Sequence, residues 1–135
     1  MFTEVKSFPT RDISQLHPVV KELCVKLLLE CRKAKIPVGV SQTYRSREYQ
    51  AELKKKLGSG AATPGKSMHE FRCAFDVYIN IKGKEYDETL LKKVGEIGKK
   101  LGLTWGGDFK NVDMPHFQYT KPWTEEQIRT GKIPR

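Results

Sequence analysis

The chain has 135 residues, with 25 Lys or Arg against 16 Asp or Glu, a formal net charge of +9 and an isoelectric point near 9.5. That length suits one domain, residues 1–135, around a single core, and no apolar run is long enough to span a bilayer. A hydrophobic content of 38% in strongly periodic segments argues against disorder, and the charge points to a polyanionic partner: nucleic acid, an anionic membrane surface or an anionic wall polymer.

The N-terminus, Met1 to Pro9, lacks both the basic start and the apolar segment of a secretory signal, so the chain is expected to be made in the cytoplasm. Residues 1–15 read as an irregular lead-in. Pro18 to Ala34 reads as an amphipathic helix entered through Pro18, with Val20, Leu23, Leu27, Cys31 and Ala34 at helical spacing. Cys24 and Cys31, seven apart on that helix, are roughly 10 Å from each other along the axis and out of disulfide reach. All three cysteines are therefore expected to be buried thiols.

After Pro37, alternation over Val38–Gln42 predicts a strand, and Ser46 then caps a helix over 47–57 with Tyr49, Leu53 and Leu57 on one face. Gly58 to Lys66, with three glycines and a proline, is a loop. Cys73 to Ile81 predicts a central strand with Cys73, Phe75, Val77 and Ile79 on one face, followed by a turn at 82–84. A helix with Leu90, Val94, Ile97 and Leu101 inward ends at Gly102. Short strands at 103–105 and 116–119 and a terminal helix capped by Thr124 and Gln127 complete an α+β pattern.

The chemistry gathers in two segments, Ser67 to Asp76 and Asp113 to His116. Two neutral imidazoles, His69 and His116, with the Asp76 carboxylate make a three-ligand zinc site that keeps one position open, the pattern of hydrolytic rather than structural zinc. Residues seven apart face opposite sides of a strand and lie two turns apart on a helix. His69 must therefore precede the strand, with a sharp bend before Asp76. Pro115 puts Asp113 in a loop and His116 at a strand start. Asp113 is then placed to take a proton from a zinc-activated water, and Arg45, at a strand-to-helix corner, to meet the oxyanion. Taken singly, each of these residues also reads as a structural one: a core histidine, a turn aspartate, a surface arginine. Cys73 as a further, soft ligand lacks a C-x-x-C partner.

The combination T-Y-R-S at 43–46 with Gln50, S-x-H at 67–69, A-x-D at 74–76, W-G-G-D at 105–108 and D-x-P-H-F-Q at 113–118 resembles the L-alanyl-D-glutamate peptidases. These are relatives of the VanY-type zinc D-Ala-D-Ala carboxypeptidases, and many serve as phage endolysin catalytic parts. The resemblance runs over about residues 11–133. It implies a small antiparallel sheet with packed helices, one Zn²⁺ per chain on His69, Asp76 and His116, Asp113 as the catalytic carboxylate and Arg45 on the substrate carbonyl. Ser67, Gln50 and Trp105 match substrate-pocket positions. The implied partner is the bacterial peptidoglycan stem peptide, with anionic wall polymers held by the net charge, and the implied site of action is the cell wall, reached by a phage-type route. Neither nucleic-acid binding nor membrane insertion is implied. Aspartate at 113, where the D-Ala-D-Ala enzymes usually carry glutamate, favours the L-Ala–D-Glu branch.

Two positions depart from the family pattern. Arg72 stands where glycine is usual, and if the bend needs a positive φ it costs about 1 kcal/mol or more; Arg72 could instead reach the cleft. Phe109 replaces a usual tryptophan. The competing readings are a D-Ala-D-Ala carboxypeptidase, a zinc-binding interaction domain without hydrolysis, and a basic nucleic-acid-binding module.

Overall fold

Alternation from residue 73 onward predicts a central strand, and β2 (Ala74–Ile79) is that strand, with a neighbour along each edge. In the computed structural model, which describes residues 10–135, β2 lies in a four-stranded sheet with β1 (Val38–Gln42), β3 (Thr104–Trp105) and β4 (His116–Gln118). The order is β1-β2-β4-β3 and every neighbouring pair is antiparallel. The expectations for residues 1–9 lie outside the described residues.

Alternation divides the sheet into two faces. Phe75, Val77, Ile79 and Phe117 are fully buried against α1 (Pro18–Lys33) and α3 (Glu88–Lys100). From α1 come Val20, Cys24, Leu27 and Cys31, and from α3 Leu91 and Val94. Burial pushes the thiols of Cys24 and Cys73 up to about 12 and that of Cys31 to about 11, so all three are free and protonated at neutral pH.

Three readings of helix and strand faces need correction. The inward face of α3 is wider than expected: Leu90, Ile97 and Leu101 pack at its margin, partly buried, and its fully buried centre is Leu91, Val94, Gly95 and Gly98. The two glycines decide this: a Cβ on Gly95 would lie 2.3 Å from the Trp105 ring, and one on Gly98 would lie 2.4 Å from that of Phe117. Without side chains there, the aromatics pack directly on helix backbone. In α2 (Arg47–Leu57), Leu57 is 55% exposed and the buried residue is the polar Gln50, because this helix covers the site and not the core. Cys73 precedes β2 and packs with Met68, Ala74 and Ile128 in a second apolar cluster, under the short helix α4 (Glu125–Arg129).

The lead-in is less irregular than expected where it is described. Thr10 exchanges backbone hydrogen bonds with Thr43 and Tyr44, and a single 3₁₀ turn, Ile13–Gln15, leads into α1.

Candidate metal centre

The face of the sheet turned away from α1 and α3 carries a row of polar side chains set by register. Asp76 on β2 stands directly across from His116 on β4 and from Gln42 on β1. Cross-strand partners share a face, so the antiparallel pairing by itself brings Asp76 and His116 together from forty residues apart. His69 arrives from a 3₁₀ turn, Met68–Phe71, capped at Ser67 by a reciprocal box with Glu70. Arg72 ends the turn in the left-handed region, φ 61° and ψ 27°, and this is the sharp bend that the seven-residue spacing demands.

The three side chains converge: the donor atoms of His69, Asp76 and His116 all lie within 4.8 Å of one another. His69 Nε2 and His116 Nδ1 are each 3.2 Å from Asp76 Oδ1. Burial works against a charge on Asp76, yet the two imidazoles outweigh it and hold the carboxyl well below the ordinary range. Each ring has a second partner on its other nitrogen. His69 Nδ1 lies 2.8 Å from the Thr43 carbonyl, and His116 Nε2 lies 2.8 Å from Gln118 Oε1. With a metal ion between them, the rings would keep their protons on the nitrogens facing Thr43 and Gln118, which frees Nε2 of His69 and Nδ1 of His116 as lone-pair donors alongside Asp76.

Two charged groups border the cluster in a cleft of about 560 Å³, whose walls include Ser67, Phe109 and Asn111. Asp113 reaches to 3.9 Å from His116 Nδ1, and desolvation in the cleft raises its carboxyl above the ordinary value. Arg45 lies 3.9 Å from Asp76 Oδ2 and donates to Gln50 and Gln42. A guanidinium has five N–H groups, so donors remain for a ligand. A larger groove, about 790 Å³, runs along α1 between Ser14 and Lys26 and contains none of these groups.

The sequence-derived pocket positions divide. Ser67 lines the cleft, and its Oγ accepts from the His69 backbone N–H. Gln50 and Trp105 are buried and line no part of it. Gln50 holds Arg45 on one side and donates to the Ala62 carbonyl on the other. Trp105 Nε1 donates to the Met114 carbonyl at 2.7 Å, which holds the loop that carries Asp113. The W-G-G-D glycines serve the same loop: a Cβ on Gly106 would strike the Asp113 carbonyl at 2.2 Å, and one on Gly107 the Trp105 ring. Arg72 does not enter the cleft; its guanidinium lies 3.9 Å over the Tyr44 ring and bonds Gln15.

Sequence reasoning gave no role to Gln118, Glu70 or Gln42. Gln118 sits two residues after His116 on a strand and must share its face, a signal that period-2 spacing provides. Glu70 is legible as the third position of a capping box from Ser67; its carboxylate accepts from Gly65 and Ser67 and ties the 58–66 loop to the His69 turn. Gln42 follows a bulge in the β1–β2 register that no local pattern announces.

The His–Asp–His group, with both histidines buried, opens to a cleft with a carboxylate and an arginine at its edge, a donor set that could hold a metal ion. A D-alanyl-D-alanine carboxypeptidase family model matches residues 61–119. The chain is 34% identical to the peptidoglycan L-alanyl-D-glutamate endopeptidase CwlK of Bacillus subtilis, over 78% of this chain and 74% of that protein. It is 32% identical to the L-alanyl-D-glutamate peptidase of Listeria phage A118, over 80% of this chain and 39% of the phage protein. Among solved structures it resembles the L-Ala D-Glu endopeptidase ChiX of Serratia marcescens, with TM-score 0.68 and 25% identity over 84% of this chain and 90% of that one. The fold is also that of the vancomycin-resistance D,D-pentapeptidase VanY solved with Zn(II), with TM-score 0.66 and 15% identity over 88% and 80% of the two chains. The chain belongs to the L-alanyl-D-glutamate peptidase family.

Proposed function

We propose that this protein is a zinc-dependent endopeptidase that hydrolyses the L-Ala–D-Glu bond of the peptidoglycan stem peptide. The observation that carries the reading is the convergence of His69, Asp76 and His116 beside Asp113 and Arg45, in a chain related to peptidases of that specificity. The donor set, two imidazole nitrogens and one carboxylate oxygen with both rings backed by fixed acceptors, fits one Zn²⁺ per chain. When bound there, zinc supplies Lewis acidity, acidifying a water toward neutral pKa and polarising a peptide carbonyl.

The remaining roles fall to the chain's own groups. Asp113 accepts the proton of the attacking water and returns it to the leaving amine; its raised carboxyl suits a group that must hold a proton briefly. Arg45, fixed by Gln42 and Gln50, faces the carbonyl oxygen as negative charge develops, a contribution of about 3–4 kcal/mol where such donors are used. Ser67 lines the substrate side of the cleft, while Gln50 and Trp105 act from behind it by holding Arg45 and the Asp113 loop. The charge of +9 favours retention on anionic wall polymers, and the phage relative supports a role in wall lysis.

Digestion of purified peptidoglycan by the zinc-loaded protein tests the specificity. New glutamate amino ends are expected; release of free D-alanine without them would replace this reading by a D-Ala-D-Ala carboxypeptidase. A protein that binds zinc stoichiometrically and releases neither would be a zinc-binding interaction domain.

A further inference from the structure

His69 and His116 are backed by different kinds of acceptor. The Thr43 carbonyl behind His69 belongs to the backbone and has only oxygen to offer. The acceptor behind His116 is the side-chain amide of Gln118, which can turn end over end. Turned, it would present NH₂ to Nε2, force the ring proton onto Nδ1, and close the nitrogen that faces Asp76 and His69. Something has to keep the amide from turning, and Glu125 is placed to do so. Its Oε2 lies 2.8 Å from Gln118 Nε2. An ionised carboxylate only accepts, so the reversed amide would set oxygen against oxygen in a buried position, Gln118 being 6% exposed.

We propose that Glu125, acting through Gln118, selects the ring tautomer of His116 and thereby makes Nδ1 the metal-binding nitrogen. This rests on the reading of His116 as a ligand. Glu125 is itself held by Arg129, whose Nη2 lies 3.0 Å from Oε1. The same guanidinium donates twice to the Lys66 carbonyl, at 2.9 and 3.2 Å, next to the Ser67 cap of the His69 turn. The terminal helix α4 thus joins both ligand-bearing segments. Glu125, Gln118 and Arg129 are positioning residues: none of them is needed as a ligand.

The test pairs Glu125→Gln with the exchange Gln118→Glu/Glu125→Gln, in which a carboxylate at 118 accepts from His116 whichever way it rotates. Two quantities are read on the full chain. They are the ring nitrogen of His116 that keeps its proton in the zinc-loaded protein, by ¹⁵N NMR, and the zinc dissociation constant against a chromophoric chelator. Glu125→Gln is expected to give a mixture of tautomers and zinc binding weaker by about 10- to 100-fold, and the exchange to recover both. A Glu125→Gln protein with the wild-type tautomer and wild-type zinc affinity overturns the proposal. So does weakened binding that the exchange fails to rescue and that tracks a loss of thermal stability, since that is a merely structural effect. A wild-type chain that takes up no zinc is a separate result: it removes the ligand reading and this inference with it.

Discussion

The two faces of the sheet are made from alternate residues of the same strands, yet they are stabilised by opposite means. Phe75, Val77 and Phe117 face α1 and α3 and contribute by removing apolar area from water, at about 25 cal/mol per Å². Between them, Gln42, Asp76, His116 and Gln118 face the cleft. Burying such groups costs free energy unless each finds a partner, and here each does: Asp76 on two imidazoles, His116 on Gln118, Gln118 on Glu125, Gln42 on Arg45. Stability and chemistry are therefore separated by strand parity, one residue apart. A one-residue slip of β4 would exchange them, and the aromatic packing of Phe117 on Gly98 is what forbids the slip.

The sharpest way to break this comparison is to change two consecutive residues. His116→Ala is expected to abolish zinc uptake and hydrolysis while leaving the metal-free chain folded. Phe117→Ala should cost about 3–5 kcal/mol and lower the thermal midpoint by ~10 °C or more, with zinc still bound by whatever remains folded. Metal analysis and thermal melts on both variants decide it; a Phe117→Ala protein of normal stability that has lost zinc would end the division by face. Within the cleft, Asp113→Ala should keep the zinc and lose about 10²- to 10⁴-fold in turnover. An active Asp113→Ala enzyme would remove the base.

Gly95→Ala should produce an intermediate effect that crosses between the faces. The added Cβ meets the Trp105 ring at 2.3 Å, and overpacking of this kind costs about 1–3 kcal/mol. Because Trp105 Nε1 holds the Met114 carbonyl, displacing the ring also loosens the Asp113 loop. Both the midpoint and kcat are expected to fall. A drop in stability with kcat unchanged would show that Trp105 buttresses only the core.

What could be read from the sequence follows the same division. Among the described residues, period and punctuation located the four α-helices and four strands within one or two residues, because Pro18, Ser46, Gly102 and Thr124 act through local backbone chemistry. The seven-residue spacing of His69 and Asp76 correctly demanded a bend, and Arg72 supplies it at φ 61°. What stayed hidden was tertiary. The fully buried centre of the α3 face depends on two ring-to-glycine contacts, and glycines count as gaps in a periodicity. The roles of Gln50 and Trp105 behind the cleft depend on which side of a buried group the partner lies, and no spacing encodes that.

Arg72→Gly is expected to have the smallest effect, and its sign is informative. Glycine would relieve a left-handed residue, worth about 1 kcal/mol. It would also remove a guanidinium that stacks on Tyr44 at 3.9 Å and donates to Gln15 Oε1 at 2.8 Å and to the Gln15 carbonyl at 3.0 Å. A cation–π contact contributes about 0.5–1 kcal/mol, and the two bonds, which share the single Nη1 group, together count for roughly one charged hydrogen bond of about 1.5 kcal/mol, so the losses exceed the relief by about 1 kcal/mol. Glycine also widens the unfolded ensemble, which pushes the same way. Denaturant unfolding should therefore show Arg72→Gly less stable by about 1 kcal/mol, with kcat/KM unchanged because the side chain points away from the cleft. A more stable variant would mean that the backbone strain outweighs those contacts, and a shift in kcat/KM would mean that the His69 turn, which Arg72 terminates, has moved with it.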